Sequence, residues 1–107
     1  MVEYNAVKTL DGGYIITVEG HANTAPKGAD VVCAAASALT VALVEASRRM
    51  LSEGRAKVCR VALGDGYTEV ELAPESGEEE RAAGIVNTIT DAFVWLEYNY
   101  PDFVAVV

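Results

Sequence analysis

A thiol and an imidazole lie in the stretch Gly20–Ser37, which reads Gly-His-Ala-Asn-Thr-Ala-Pro-Lys-Gly-Ala-Asp-Val-Val-Cys-Ala-Ala-Ala-Ser. His21 is the only histidine of the protein and Cys33 is one of two cysteines. The thiolate, not the thiol, is the nucleophile, and an adjacent base generates it. A cysteine with an imidazole beside it is therefore the constellation of nucleophilic cysteine catalysis. Each residue also has a plainer reading. Cys33 alone would be a small apolar residue in an alanine-rich helix. His21 alone would be a surface residue at a strand end.

The neighbouring elements decide between these readings. Tyr14–Glu19 alternates, with Tyr14, Ile16 and Val18 on one face and Ile15, Thr17 and Glu19 on the other. This is a strand that delivers His21 at its C-terminal end. From Val31 to about Glu53 the pattern is helical, with Val32, Ala36, Leu39, Leu43 and Met50 in one stripe. Asp30 is a good N-cap for this helix, which places Cys33 at the third helical position, where unpaired N–H groups and the helix dipole favour an anion. In a two-layer fold the helix folds back over the strand. The strand's end and the helix's start then share one edge, and His21 can reach Cys33.

Other residues of the stretch take supporting parts. Asp30 caps the helix, or orients His21. Ser37 lies one turn after Cys33, where it can bond the imidazole or sulfur, or merely back-bond to the Cys33 carbonyl. Gly20 permits close approach of a substrate, or simply turns the strand end. Asn23–Ala29 is a loop in which Pro26 fixes one backbone angle and Gly28 frees another. With Asn23, these residues form a substrate loop that could act as a lid. N–H groups at the helix start, that of Cys33 included, are candidate oxyanion donors. Cys59 lies inside a strand pattern with no base near it in sequence and reads as structural.

The rest of the chain fills in the scaffold. Val2–Leu10 is a first strand, turned at Asp11-Gly12-Gly13. Lys57–Leu63 and Tyr67–Ala73 form a second pair joined at Gly64-Asp65-Gly66. Thr68, Val70 and Leu72 alternate with Glu69 and Glu71, so one sheet face is wet. Glu78-Glu79-Glu80 sits at the start of a second helix, whose buried stripe is Ala82, Ile85, Ile89, Phe93 and Leu96. Pro101 ends that helix, and Phe103–Val107 is an edge strand or a tail. The order β-β-α-β-β-α-β predicts an α+β two-layer sandwich: a single domain over 1–107, a largely antiparallel sheet, and two helices on one face. The first helix is apolar on its opposite side too, at Val31, Ala35, Ala38, Val41 and Ala42. That calls for something beyond the sheet, such as a second subunit, to cover it. Ser47, Arg48 and Arg49 mark its more polar end, and Gly54 stops it.

Composition excludes several functions. With 8 Lys and Arg against 16 Asp and Glu, the formal net charge is −8, which argues against a nucleic-acid binder. The acidity suits a basic partner, or serves solubility alone. Cys33, Cys59 and one histidine match no metal-site spacing. No apolar run reaches about 18 residues without polar interruption, and the N-terminus is not a signal peptide. A cytoplasmic protein with reduced thiols and no membrane partner is expected.

The spaced pattern Gly20-His21-Ala22, five residues, then Gly28-x-Asp30-Val31-Val32-Cys33-Ala34-Ala35-x-Ser37 resembles the ribosomal-processing cysteine proteases of the Prp (YsxB-like) family. Ala36 stands where a larger branched residue is more usual. The resemblance implies Cys33 as nucleophile and His21 as general base, with Gly20, Asp30 and Ser37 in support. It implies an endopeptidase that removes a short N-terminal extension from ribosomal protein bL27 through an acyl-enzyme, without metal or cofactor, as a homodimer. Such substrates place an apolar, aromatic-containing segment before the cut and a basic one after it. The alternatives are a ribosome-associated peptide-binding domain without activity, and a protease acting on a phage protein.

Overall fold

The structure, a computed structural model, describes residues 1–21 and 29–107. Two strands, β1 (Val2–Lys8) and β2 (Tyr14–Glu19), form a hairpin and lead to the long helix α1 (Ala29–Ser52). A second hairpin, β3 (Ala56–Gly64) and β4 (Tyr67–Pro74), precedes helix α2 (Glu79–Asn99) and a short strand β5 (Val104–Val106). This is the order expected from the sequence. The segment Phe103–Val107 resolves as an edge strand rather than a tail.

The five strands lie in the order β3-β4-β2-β1-β5. All neighbours are antiparallel except β1 and β5, which run parallel. Alternation then sorts the side chains. Register pairs Ala6 with Ile16 and Ile16 with Val70, and Tyr4 with Val18 and Val18 with Thr68. These rows belong to the face against which both helices pack, and Tyr4, Ile16 and Val70 are fully buried there. The intervening residues form the wet face, where Arg60 bonds Glu71 across the strands at 3.0 Å.

Helix α2 contributes Ala82, Val86, Ile89, Phe93 and Leu96 to the core. Val86 takes a place in the stripe that the sequence pattern assigned to Ile85, which is only partly buried. Phe93 stacks on Tyr4 with ring centroids 4.5 Å apart, and the Tyr4 hydroxyl pairs with Thr90 Oγ1 at 2.7 Å. The stack ties α2 to the central hairpin, at the end of the molecule that holds the site.

Helix α1 buries Val32, Ala36, Leu43, Val44, Ser47 and Met50. Ser47 thus faces inward rather than marking a polar end; its spacing from Leu43 and Met50 puts it on the buried stripe. The opposite side is bare in the single chain: Val31 and Val41 are 57% and 60% exposed, and Ala38 and Ala42 are exposed too. The segment Val31–Ser52 is also long and apolar enough, with mean hydropathy 1.5, to cross a membrane by composition alone. Ser37, Thr40 and Glu45 interrupt it, so it holds no uninterrupted apolar run of that length. In this fold the helix lies against the sheet.

Phe93→Ala removes the buried ring that stacks on Tyr4, and is expected to cost about 3–5 kcal/mol in chemical denaturation.

Candidate functional site

Strand β2 ends at Glu19, and Gly20 turns the chain with φ of 97°, a backbone conformation open to glycine. A side chain there would also run into the Met1 carbonyl oxygen. Gly20 is therefore needed for the turn itself. The Gly20 N–H donates to the Gly66 carbonyl at 2.8 Å, and the Met1 nitrogen donates to the His21 carbonyl at 2.6 Å. Backbone bonds on both sides thus fix where His21 leaves the sheet.

His21 and Cys33 line one cavity of about 490 Å³. Helix α1 forms one wall through Cys33, Ser37, Val41 and Val44, and the β3–β4 turn forms the other through Leu63, Gly64, Gly66 and Tyr67. Glu45 and Arg48 close its far end. Gly20 lies at its rim and Ala36 between Cys33 and Ser37 along the same wall. The two groups read from the sequence as a catalytic pair are thus on one cavity, at the edge shared by strand end and helix start. No hydrogen bond joins their side chains among the described residues. Such contacts often tighten only when substrate is bound.

Two expectations for the helix start change. Helix α1 begins at Ala29, so Asp30 lies inside the first turn and is not the cap. Alanine is the strongest helix former. Cys33 is then the fifth helical residue, and its N–H enters the intrahelical ladder toward the Ala29 carbonyl. It is not a free oxyanion donor; N–H groups without intrahelical partners belong to the first turn, before Cys33. The substrate loop residues Asn23, Pro26 and Gly28, and the side chain of Asp30, lie outside the described residues. Ser37 is exposed to the cavity, and among the described residues its hydroxyl makes no hydrogen bond, neither to the Cys33 carbonyl nor to His21.

The structure adds residues that the sequence reading placed only in a turn. Asp65 Oδ1 lies 3.6 Å from His21 Nε2. Gly66, with φ of 64°, faces the imidazole so closely that a side chain there would overlap the ring, with Cδ2 and Cε1 at 2.9 Å. The signal in sequence is Gly64-Asp65-Gly66 itself, but only the pairing of β4 with β2 brings that turn to His21.

Cys59 is half-buried on β3 opposite Leu72, away from the cavity. Burial pushes its thiol above the usual cysteine range, and the Arg48 charge opposes this in part. Its environment is that of a structural residue.

The sequence matches the family model of the cysteine protease Prp over residues 1–105. No curated protein matches the chain significantly. Among solved structures, the ribosomal processing protease Prp from S. aureus with a covalently linked product peptide superposes with a TM-score of 0.72 at 20% identity, covering 99% of this chain and 97% of that one. SMU.848 from Streptococcus mutans gives 0.72 at 23%, covering 99% and 91%. The S. aureus protease with a substrate peptide gives 0.71 at 18%, covering 100% and 98%. At these identities the three superpositions establish the fold.

The two thiols should differ in reactivity. Iodoacetamide is expected to alkylate Cys33 first, while Cys59 reacts appreciably only as the pH rises above the ordinary cysteine range of about 8.5. Mass spectrometry of time-quenched samples reads this out, and equal rates at neutral pH would contradict it.

Proposed function

This chain belongs to the cysteine protease Prp family, and we propose that it uses Cys33 as nucleophile and His21 as general base to remove a short N-terminal extension from ribosomal protein bL27. The observation that carries this reading is the placement of the sole histidine and Cys33 on one peptide-sized cavity.

The steps follow from the pair. His21 takes the thiol proton, and the thiolate attacks the scissile carbonyl carbon. The tetrahedral oxyanion collapses with cleavage of the C–N bond, and the His21 imidazolium gives its proton to the leaving amine. His21 then deprotonates a water, which hydrolyses the thioester and frees Cys33. Ser37, which makes no hydrogen bond among the described residues, lies on the cavity wall and is available to donate to the oxyanion. The apolar wall formed by Val41, Val44 and Leu63 suits the apolar segment before the cut. The net charge of −8 suits the basic segment after it.

The protein acts as a homodimer in this reading. The support is the uncovered apolar side of α1, with Val31 and Val41 exposed. The compartment is the cytoplasm, which fits two unpaired cysteines.

A synthetic peptide spanning the bL27 cleavage region tests the activity. Wild type is expected to cut it once. Cys33→Ala should abolish cleavage and His21→Ala should lower kcat by about 10²–10⁴-fold. A wild type that cuts nothing, or a Cys33→Ala variant that still cuts, overturns the assignment. For the dimer, Ala42→Glu places a charge on the exposed apolar side of α1. Sedimentation should show a wild-type dimer and a monomeric variant at the same concentration; a monomeric wild type would refute the dimer.

A further inference from the structure

A lone imidazole works as a general base only when its ring is held so that the unprotonated nitrogen meets the thiol. The bond made by the other nitrogen sets this. Three contacts at His21 converge on the turn between β3 and β4. The Gly20 N–H is bonded to the Gly66 carbonyl at 2.8 Å, which fixes the backbone immediately before the histidine. The imidazole rests on the face of Gly66, where any side chain would displace it. Asp65 Oδ1 stands 3.6 Å from Nε2, within ion-pairing range and a little long for a hydrogen bond. The first contact places the residue, the second packs its ring against Gly66, and the third puts a carboxylate beside Nε2.

We propose that Asp65 is a positioning residue for His21, holding the Nε2–H so that Nδ1 faces Cys33 and balancing the imidazolium formed during acyl transfer, with Gly66 supplying the space for the ring. This rests on the assignment of His21 as the base. The turn is thus a third component of the site, reached from a separate hairpin. Asp65 also has a local role, since Asp-Gly is a favoured hairpin turn. Asn-Gly is favoured equally, so Asp65→Asn keeps the turn while removing the charge. Asp65→Ala removes both charge and acceptor. The Asp65 carboxylate is fully exposed, so its effect is moderate compared with that of a buried orienting carboxylate.

Two measurements test the proposal together. In peptide cleavage, Asp65→Ala is expected to lower kcat about tenfold with KM within about twofold, and Asp65→Asn to fall between it and wild type, because the amide still accepts from Nε2–H but cannot balance the imidazolium. In nitrogen-15 NMR of the neutral ring, the single histidine gives an unambiguous signal. Wild type should show the proton on Nε2, and Asp65→Ala should show shifts averaged toward the other tautomer. Gly66→Ala should displace the ring and lower kcat in a protein whose circular dichroism remains native; if that variant does not fold, the Asp65 variants decide. Wild-type kcat in Asp65→Ala, or unchanged nitrogen shifts in it, overturns the proposal. Should the wild type cut no peptide, the functional assignment fails, and the nitrogen shifts alone decide whether Asp65 holds the ring.

Discussion

The pairing of β2 with β4 is the constraint from which the candidate site hangs. Its register sets Glu19 opposite Tyr67, and the next step along the ladder is the bond from Gly20 to Gly66. A strand shifted by one residue would move every side chain to the other face. Ile16 and Val18 would then leave the core, and His21 would leave the cavity. The register is enforced by the full burial of Tyr4, Ile16, Val70 and Leu72. The site is thereby positioned by the hydrophobic core, and its own polar contacts settle the finer placement.

Local pattern in the sequence is enough to recover β2 from Tyr14 to Glu19 and the inward stripe of α1. Period-two and period-3.6 alternation are properties of neighbouring residues, and both elements bury one clear face. The meeting of His21 and Cys33 on one edge also follows from chain order alone. The start of α1 does not, because Ala29 extends the helix by propensity past the side chain that looked like its cap. Asp65 was out of reach for a different reason. Strand order is a non-local property: that β4 inserts beside β2, rather than β3 or β5, depends on how two hairpins dock. Without it, Gly64-Asp65-Gly66 is only a turn.

Helix α1 carries two demands on one element. Its inward side must pack on the sheet, and Ala36 and Ser47 are small enough to let it approach closely. Its outward side is apolar as well, which isolated solubility would disfavour and an interface would use. The cavity runs along this helix from Cys33 to Arg48, between those two sides. Any partner seated on the outward face would therefore lie beside the cavity wall, so assembly and substrate access would be physically adjacent on the same helix.

The position of Cys33 in the second turn bears on how the proposed nucleophile would be activated. The field of a helix end falls off within its first turn, so the dipole contributes less than it would at the third residue. In the proposed mechanism the imidazole would then supply most of the activation, and its effect would depend on orientation. Cys59 provides the contrast inside the same molecule. It is half-buried like Cys33 and lies near a positive charge, Arg48, yet burial dominates and keeps it protonated. A nearby charge does not by itself make a reactive thiol here. What distinguishes Cys33 is its place on an open cavity that His21 also lines. Because His21 reaches that cavity on a backbone bonded to Gly66, its place on the same cavity as Cys33 depends on a hairpin turn distant in sequence.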